Sequence, residues 1–441
     1  MNSRIYLFLL LCIIHTAGIA QKFTQNGGPI SDYQGFIAAD TFNINVSGLP
    51  NRIDKDFGLA SVCFNIQHKR VSDLKVELFA PGGAEIWLTN RNGGDDGANY
   101  FFTCFRSDGF SGYIHEGAAP FKGEFIPDGR MEYINNGQNP NGQWKLLIRD
   151  LQEGISGSLD YVTLQFETNP MPNYDTPPCT LADGKGCGCP DGYSNCELLP
   201  DLVILPSFTE NQIKEYAFNH YKYPGQLRLA ASIANIGIGP METMGSGEWF
   251  CGDTPVSGSL ICPNGEYSRQ RLVQRIYSKN GIEISFKDIP TGTNYFDDKP
   301  GHDHFHVDDW VEFRLVKQKK KKAKIVASGQ KVSYCLFDTG ICTNADSLCM
   351  INGQNYGNKN LINYGLGNFP DCKDGVQGIS VGGYDTYGMM YEGQFIQLPK
   401  GLKSGVYTLE IEIDPEHKYY ELDKTNNIYR QEVTISKQRK R

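Results

Sequence analysis

The chain has 441 residues, a formal net charge of -8, and an ordinary apolar share of 40%. That balance excludes the basic character of a nucleic-acid binder and the apolar-poor composition of a disordered chain, and the length suggests two or three domains. Thirteen cysteines are an informative excess, because their state depends on the compartment the chain reaches.

The first twenty residues read as a secretory signal. Arg4 precedes an apolar stretch over 5–14, and the small residues Ala17, Gly18 and Ala20 stand before Gln21, the expected mature start. The stretch is shorter than the roughly 20 residues a membrane crossing needs, so a secreted, periplasmic or extracellular protein without a membrane span is expected. With Cys12 in the leader, the remaining cysteines are even in number, and export makes disulfides their expected state. Cys63 should pair with Cys104, Cys251 with Cys262, and Cys335 with Cys342.

From Phe23 to Thr168 short apolar runs such as 76–80 and 144–148 alternate with Gly and Asn clusters, which predicts a β-sandwich. Trp144 is its expected core anchor. The stretch 169–200 is rich in Pro, Gly and Cys and reads as a linker, with Cys179, Cys187, Cys189 and Cys196 as its disulfide staples. From 201 to 436 the chain returns to strand signals, as in 226–234 and 406–413, with one or two helical turns expected after Glu210 and long loops over 240–300 and 340–385. The basic run 317–324 is expected to form a solvated hairpin tip, and 437–441 a basic tail. The predicted class is all-β: an N-terminal sandwich followed by a second β-rich domain with long loops.

Within the first module, the run from Val71 through Pro81-Gly-Gly, the loop Asn92-Gly-Gly-Asp-Asp, and Asn141-Gly-Gln-Trp resemble the P domain of proprotein convertases, a jelly-roll sandwich found beside catalytic modules. No catalytic constellation accompanies the resemblance. His68 and His115 are far apart in sequence and no serine motif joins them, so a protease is rejected. Asp73, Asp95 and Asp96 are candidate calcium ligands against the plainer reading of loop acids.

The sharpest local feature is Gly301-His302-Asp303-His304-Phe305-His306. On a strand these three histidines share a face, with successive Cβ atoms roughly 7 Å apart, so gathering all three around one ion requires the strand to bend. Imidazoles suit copper and zinc equally. Downstream come Gln330-Lys331-Val-Ser-Tyr-Cys335-Leu-Phe-Asp338, Gly383-Tyr-Asp385-Thr-Tyr387-Gly, Ser404-Gly-Val-Tyr407 and Lys424-Thr-Asn-Asn427. In this order, the series resembles the catalytic domain of lysyl oxidases.

That resemblance implies a copper ion on His302, His304 and His306, and a self-derived lysine tyrosylquinone formed from Lys331 and Tyr387. It implies oxidation of primary amines or peptidyl lysine to aldehydes by molecular oxygen, with release of ammonia and hydrogen peroxide. Asp385 is the candidate base. Gly301 and Gly383 stand where animal members have cysteines, so the bridges framing the site in those enzymes are expected to be missing. A secreted non-enzymatic metal-binding or adhesion protein is the competing class, and a metalloenzyme without the quinone is the third. The joint presence of Lys331 and Tyr387 favours the oxidase.

Overall fold

The computed structural model describes residues 20–35, 39–171, 179–181, 183–299, 303–319, 322–373 and 375–437. The leader up to residue 19, Gly301, His302 and the tail beyond 437 therefore lie outside the described residues. Among the described residues no helix is long and apolar enough to cross a membrane.

The first module is two facing sheets. One orders the strands Gln21–Ile30, Gly157–Thr168, Phe57–Gln67, Tyr100–Phe105 and Phe121–Phe125; the other orders Asp40–Val46, Gly142–Asp150, Leu74–Phe79 and Glu85–Asn90. The period of two explains the packing: Trp144, Leu146 and Ile148 alternate inward from Gly142–Asp150 and meet Phe64, Val162 and Phe166 in one buried cluster. Trp144 is wholly buried, as expected of the anchor. Its indole N–H donates to the Pro140 carbonyl at 2.8 Å, which removes the cost of burying that donor. The Cys63–Cys104 bridge joins neighbouring strands.

The stapled stretch follows, with Cys179–Cys187 and Cys189–Cys196 as its bridges. The strand Asn195–Leu198 then pairs with Arg269–Asn280. The second module centres on an 11-stranded sheet whose spine runs Thr254–Val256, Met241–Cys251, Arg269–Asn280, Glu283–Asp297, His304–Lys319, Gly405–Ile413 and Ile428–Ile435. A 4-stranded sheet of Leu202–Ile204, Ala231–Asn235, Gly383–Tyr387 and Gly340–Ile341 lies apart from it in hydrogen bonding. Trp310, Phe313, Leu315, Ile379 and Ile411 fill the core. The all-β class holds in both modules.

Three expectations need correction. The span 240–300 is not loop but mostly long hairpin strands. In Arg269–Asn280 the inward positions are Gln270, Leu272, Gln274 and Ile276, so two buried glutamines disguise the apolar alternation. The helix is Pro206–Asn211, which ends just past Glu210 instead of beginning there; Pro206 at its first position supplies the helical φ and lacks an N–H that would go unpaired. Cys335 pairs with Cys372, across a separation of 37, and Cys342 pairs with Cys349. The Cys251–Cys262 bridge is as expected. The basic run does form a hairpin, His304–Lys319 pairing with Lys322–Ser328.

The two modules are joined by polar contacts around the short Gly340–Ile341 region. Tyr113 donates its hydroxyl to the Ile341 carbonyl at 3.1 Å, and Tyr133 donates to Oδ2 of the buried Asp338 at 2.5 Å. Lys373 bonds Glu85, and Trp87 packs edge-on against Phe337 at 4.8 Å between ring centres. Two of the acids considered for calcium are already engaged: Asp73 accepts from Arg70 at 2.6 Å and faces Lys222 at 3.7 Å, while Asp95 pairs with Lys214 at 2.9 Å. Asp96 is exposed. His68 pairs with Asp150 at 3.2 Å and His115 with Asp128 at 2.8 Å.

Candidate active site

The strand His304–Lys319 begins with the last two histidines of the triplet. Two residues apart, they face the same way, and both are buried. Their Nε2 atoms approach to 3.2 Å, a separation that two imidazoles bound at about 2 Å to one ion accommodate. Burial pushes the His306 pKa down to about 4, so the ring is neutral at ordinary pH, the form that ligates a metal. Oδ2 of Asp297 stands 4.0 Å from His306 Nδ1, and that carboxylate is fixed by the Tyr267 hydroxyl at 3.1 Å and the Lys299 amide at 3.0 Å. At that distance the carboxylate faces the imidazole without hydrogen-bonding it. The two histidines therefore fit a metal. His304 also lies near the sulfurs of Cys335 and Cys372, but these are joined to each other and offer no thiolate.

Tyr387 ends the strand Gly383–Tyr387, where its partner is Ala231. Its hydroxyl oxygen accepts the Cys335 amide N–H at 2.6 Å, and its ring stacks on Tyr334 with centres 3.7 Å apart and planes inclined by 11°. Burial raises its pKa well above the usual phenol range, so the hydroxyl is protonated. Lys331 lies in the short connection before Val332–Tyr334, its ammonium bonded to Glu416. One cavity of about 190 Å³ is lined by His304, His306, Lys331 and Tyr387 together. Residues as much as 83 positions apart in sequence are thereby gathered on one small space.

Asp385 shares Tyr387's strand face but is set deeper. It is fully buried, neither carboxyl oxygen accepts a hydrogen bond among the described residues, and it is not on the cavity wall. Burial first, and the nearby Asp338 second, raise its pKa well above the carboxylate range. The neighbour Thr386 also lines the cavity, with its hydroxyl 2.7 Å from that of Ser232.

A bridge elsewhere in the chain frames the site. Phe305, between the two histidines, donates its amide to the Cys372 carbonyl at 3.1 Å, and Cys335 holds the Tyr387 oxygen; the Cys335–Cys372 bridge thus links the histidine strand to the tyrosine. Gly383 has its own reason to be glycine, since a Cβ there would come 2.3 Å from Asp338 Oδ1.

Several lining residues were not anticipated from sequence. Trp87, Asn90 and Arg91 come from the first module and close one wall, with the Trp87 ring 5.6 Å from that of His304. Asp297 and Tyr295 come from the strand before the histidines. Tyr334 stood inside a motif already singled out, but nothing in its spacing announced that it would stack on Tyr387.

Comparison with known families gives two matches. Residues 59–119 match the proprotein convertase P-domain model and residues 285–441 match the lysyl oxidase model. Their order along the chain is that of the two motif series. Human protein-lysine 6-oxidase is 29% identical over 133 residues, covering 30% of this chain and 26% of that protein. Human lysyl oxidase homolog 1 is 32% identical over 130 residues, covering 29% and 18%. The chain thus spans about a quarter or less of these relatives' length. Among solved structures, a serine protease of Aeromonas sobria shares 14% identity over 34% of this chain and 26% of its own, with a TM-score of 0.21.

Proposed function

We propose that this protein is a secreted, copper-dependent amine oxidase of the protein-lysine 6-oxidase type. The single observation that supports it most is the shared cavity: two convergent buried imidazoles face the same small space as the lysine and tyrosine that would form lysine tyrosylquinone. In the proposed reaction, a primary amine, oxygen and water give an aldehyde, ammonia and hydrogen peroxide. Copper would be held by His304 and His306 together with His302, and the quinone would supply the electron acceptor for the amine carbon.

The chain's own residues have distinct tasks. Tyr334 fixes the plane of the Tyr387 ring by stacking, and the Cys335 amide fixes its oxygen. Lys331 is held at the cavity edge by Glu416 until its amine is used in the crosslink. Trp87 and Phe337 keep water away from the histidine side of the cavity. Asp385 is retained as the proposed base on its place in the motif, and because it is set back from the cavity wall its carboxylate would have to reach the cavity to take the proton from the carbon bearing the amine. Its dry surroundings make its carboxylate, once ionised, a strong acceptor. Because that environment raises its pKa, turnover should climb with pH until Asp385 is ionised.

The test is mass spectrometry of copper-loaded protein after proteolysis. A single species joining the Lys331 and Tyr387 peptides at the mass of a quinone bridge is expected, and K331R and Y387F should lack both it and peroxide release. Separate, unmodified peptides from fully copper-loaded protein under oxygen would sink the mechanism.

A further inference from the structure

The cavity is completed by the first module, and the residue that module contributes at its mouth is cationic. Arg91 follows the strand Glu85–Asn90 and lines both the cavity and a neighbouring groove of about 470 Å³ that runs between the modules. Its backbone has φ +54°, a conformation that costs a non-glycine residue free energy, and its amide is tied to the Leu74 carbonyl at 2.9 Å. The chain is thus bent to present this side chain at the boundary of the two spaces.

The other cations of the groove are committed. Arg70 is bonded to Asp73, Lys222 faces the same carboxylate at 3.7 Å, and Lys299 is 3.5 Å from Asp297. Arg91, unlike these three, makes no ion pair and no side-chain hydrogen bond among the described residues. Glu153 and Glu392 share the groove, and Glu392 also lines the cavity, but no ion pair joins either to Arg91 among the described residues. A half-buried guanidinium with its donors unspent, on the wall of a substrate cavity, is suited to a carboxylate, which it can bind through two parallel hydrogen bonds.

We propose that Arg91 is a specificity-determining residue, and that the substrate is a primary amine that also carries a carboxylate. The amine enters toward Lys331 and Tyr387 while the carboxylate stays at the mouth on Arg91. That chemistry belongs to a free ω-amino acid and equally to a lysine flanked by an acidic residue in a protein. A diamine would instead set a second ammonium against the guanidinium and be disfavoured. The inference rests on the amine oxidase reading and adds the class of amine.

The experiment uses full-length, copper-loaded protein and compares 6-aminohexanoate with hexylamine by peroxide release, then lysine peptides bearing Glu or Gln beside the lysine. Wild type should favour the carboxylate-bearing member of a pair by about tenfold in kcat/KM, mostly through KM, and R91Q should erase the preference while R91K keeps part of it. A preference in the first pair alone points to a free amino acid, and one in the peptide pair to a protein substrate. Turnover of hexylamine with no preference in either pair overturns the assignment of Arg91 and leaves the oxidase intact. Should no amine be turned over, the oxidase reading fails, and titration calorimetry with hexanoate still decides Arg91: heat of binding abolished by R91Q supports it, and no binding to wild type overturns it.

Discussion

Removing the Cys335–Cys372 bridge, as C335A/C372A, should damage both stability and the site, and by different routes. The bridge closes a separation of 37 residues, whereas Cys342–Cys349 closes 7. Chain entropy of the unfolded state then assigns about 4 kcal/mol to the first and about 2.5 kcal/mol to the second. The structural consequence separates them further. Cys335 donates to the Tyr387 oxygen and Cys372 accepts from Phe305, so its loss frees the tyrosine from the histidine strand, while Cys342–Cys349 does neither. Urea unfolding should rank the double variants in that order, and quinone absorbance after copper loading should fall sharply in C335A/C372A but persist in C342A/C349A. Equal quinone formation in both variants, with equal loss of stability, would refute the reasoning that this bridge frames the site.

Two further outcomes follow from local geometry and charge. G383A should destabilise the second module by about 1–3 kcal/mol, because the added Cβ would meet Asp338 Oδ1 at 2.3 Å; a melting temperature equal to wild type would show that Asp338 can move aside. Glu421, half-buried beside the Leu202 amide and Asn427, has its pKa raised by desolvation from 4.5 to about 7. The folded state then holds a proton that the unfolded state has lost, so stability should fall by at most about 3 kcal/mol as pH rises from about 4.5 to 7, and E421Q should flatten that slope in urea melts at pH 5 and 7.5.

What could be read from the sequence was whatever is encoded locally. Trp144, Leu146 and Ile148 alternate in plain sight, and the sandwich followed from runs of that kind. The histidine spacing likewise announced a shared face before any strand was known. The hairpins over 240–300 were hidden because Gln270 and Gln274 occupy inward positions; Gln274 donates to the Tyr420 carbonyl at 2.9 Å and accepts the Tyr420 amide N–H in return at 2.7 Å. A buried polar group whose bonds are satisfied from 146 residues away leaves no local trace.

The same distinction governs the site. Lys331 and Tyr387 were legible only through family motifs, since neither has a neighbour in sequence that explains its placement. Trp87 and Arg91 were not legible at all: they act across an interface that depends on Tyr133 reaching Asp338 and Lys373 reaching Glu85. Asp338 is the instructive case, because one buried carboxylate accepts from Tyr133, stands beside Arg130 at 3.6 Å, binds the Ser380 amide at 2.9 Å, and fills the space a side chain at 383 would need. A cysteine at 383 is sterically incompatible with that arrangement. The glycine at 383 is therefore coupled through Asp338 to docking of the first module, and the bridge from Cys335 to Cys372 links the histidine strand to Tyr387.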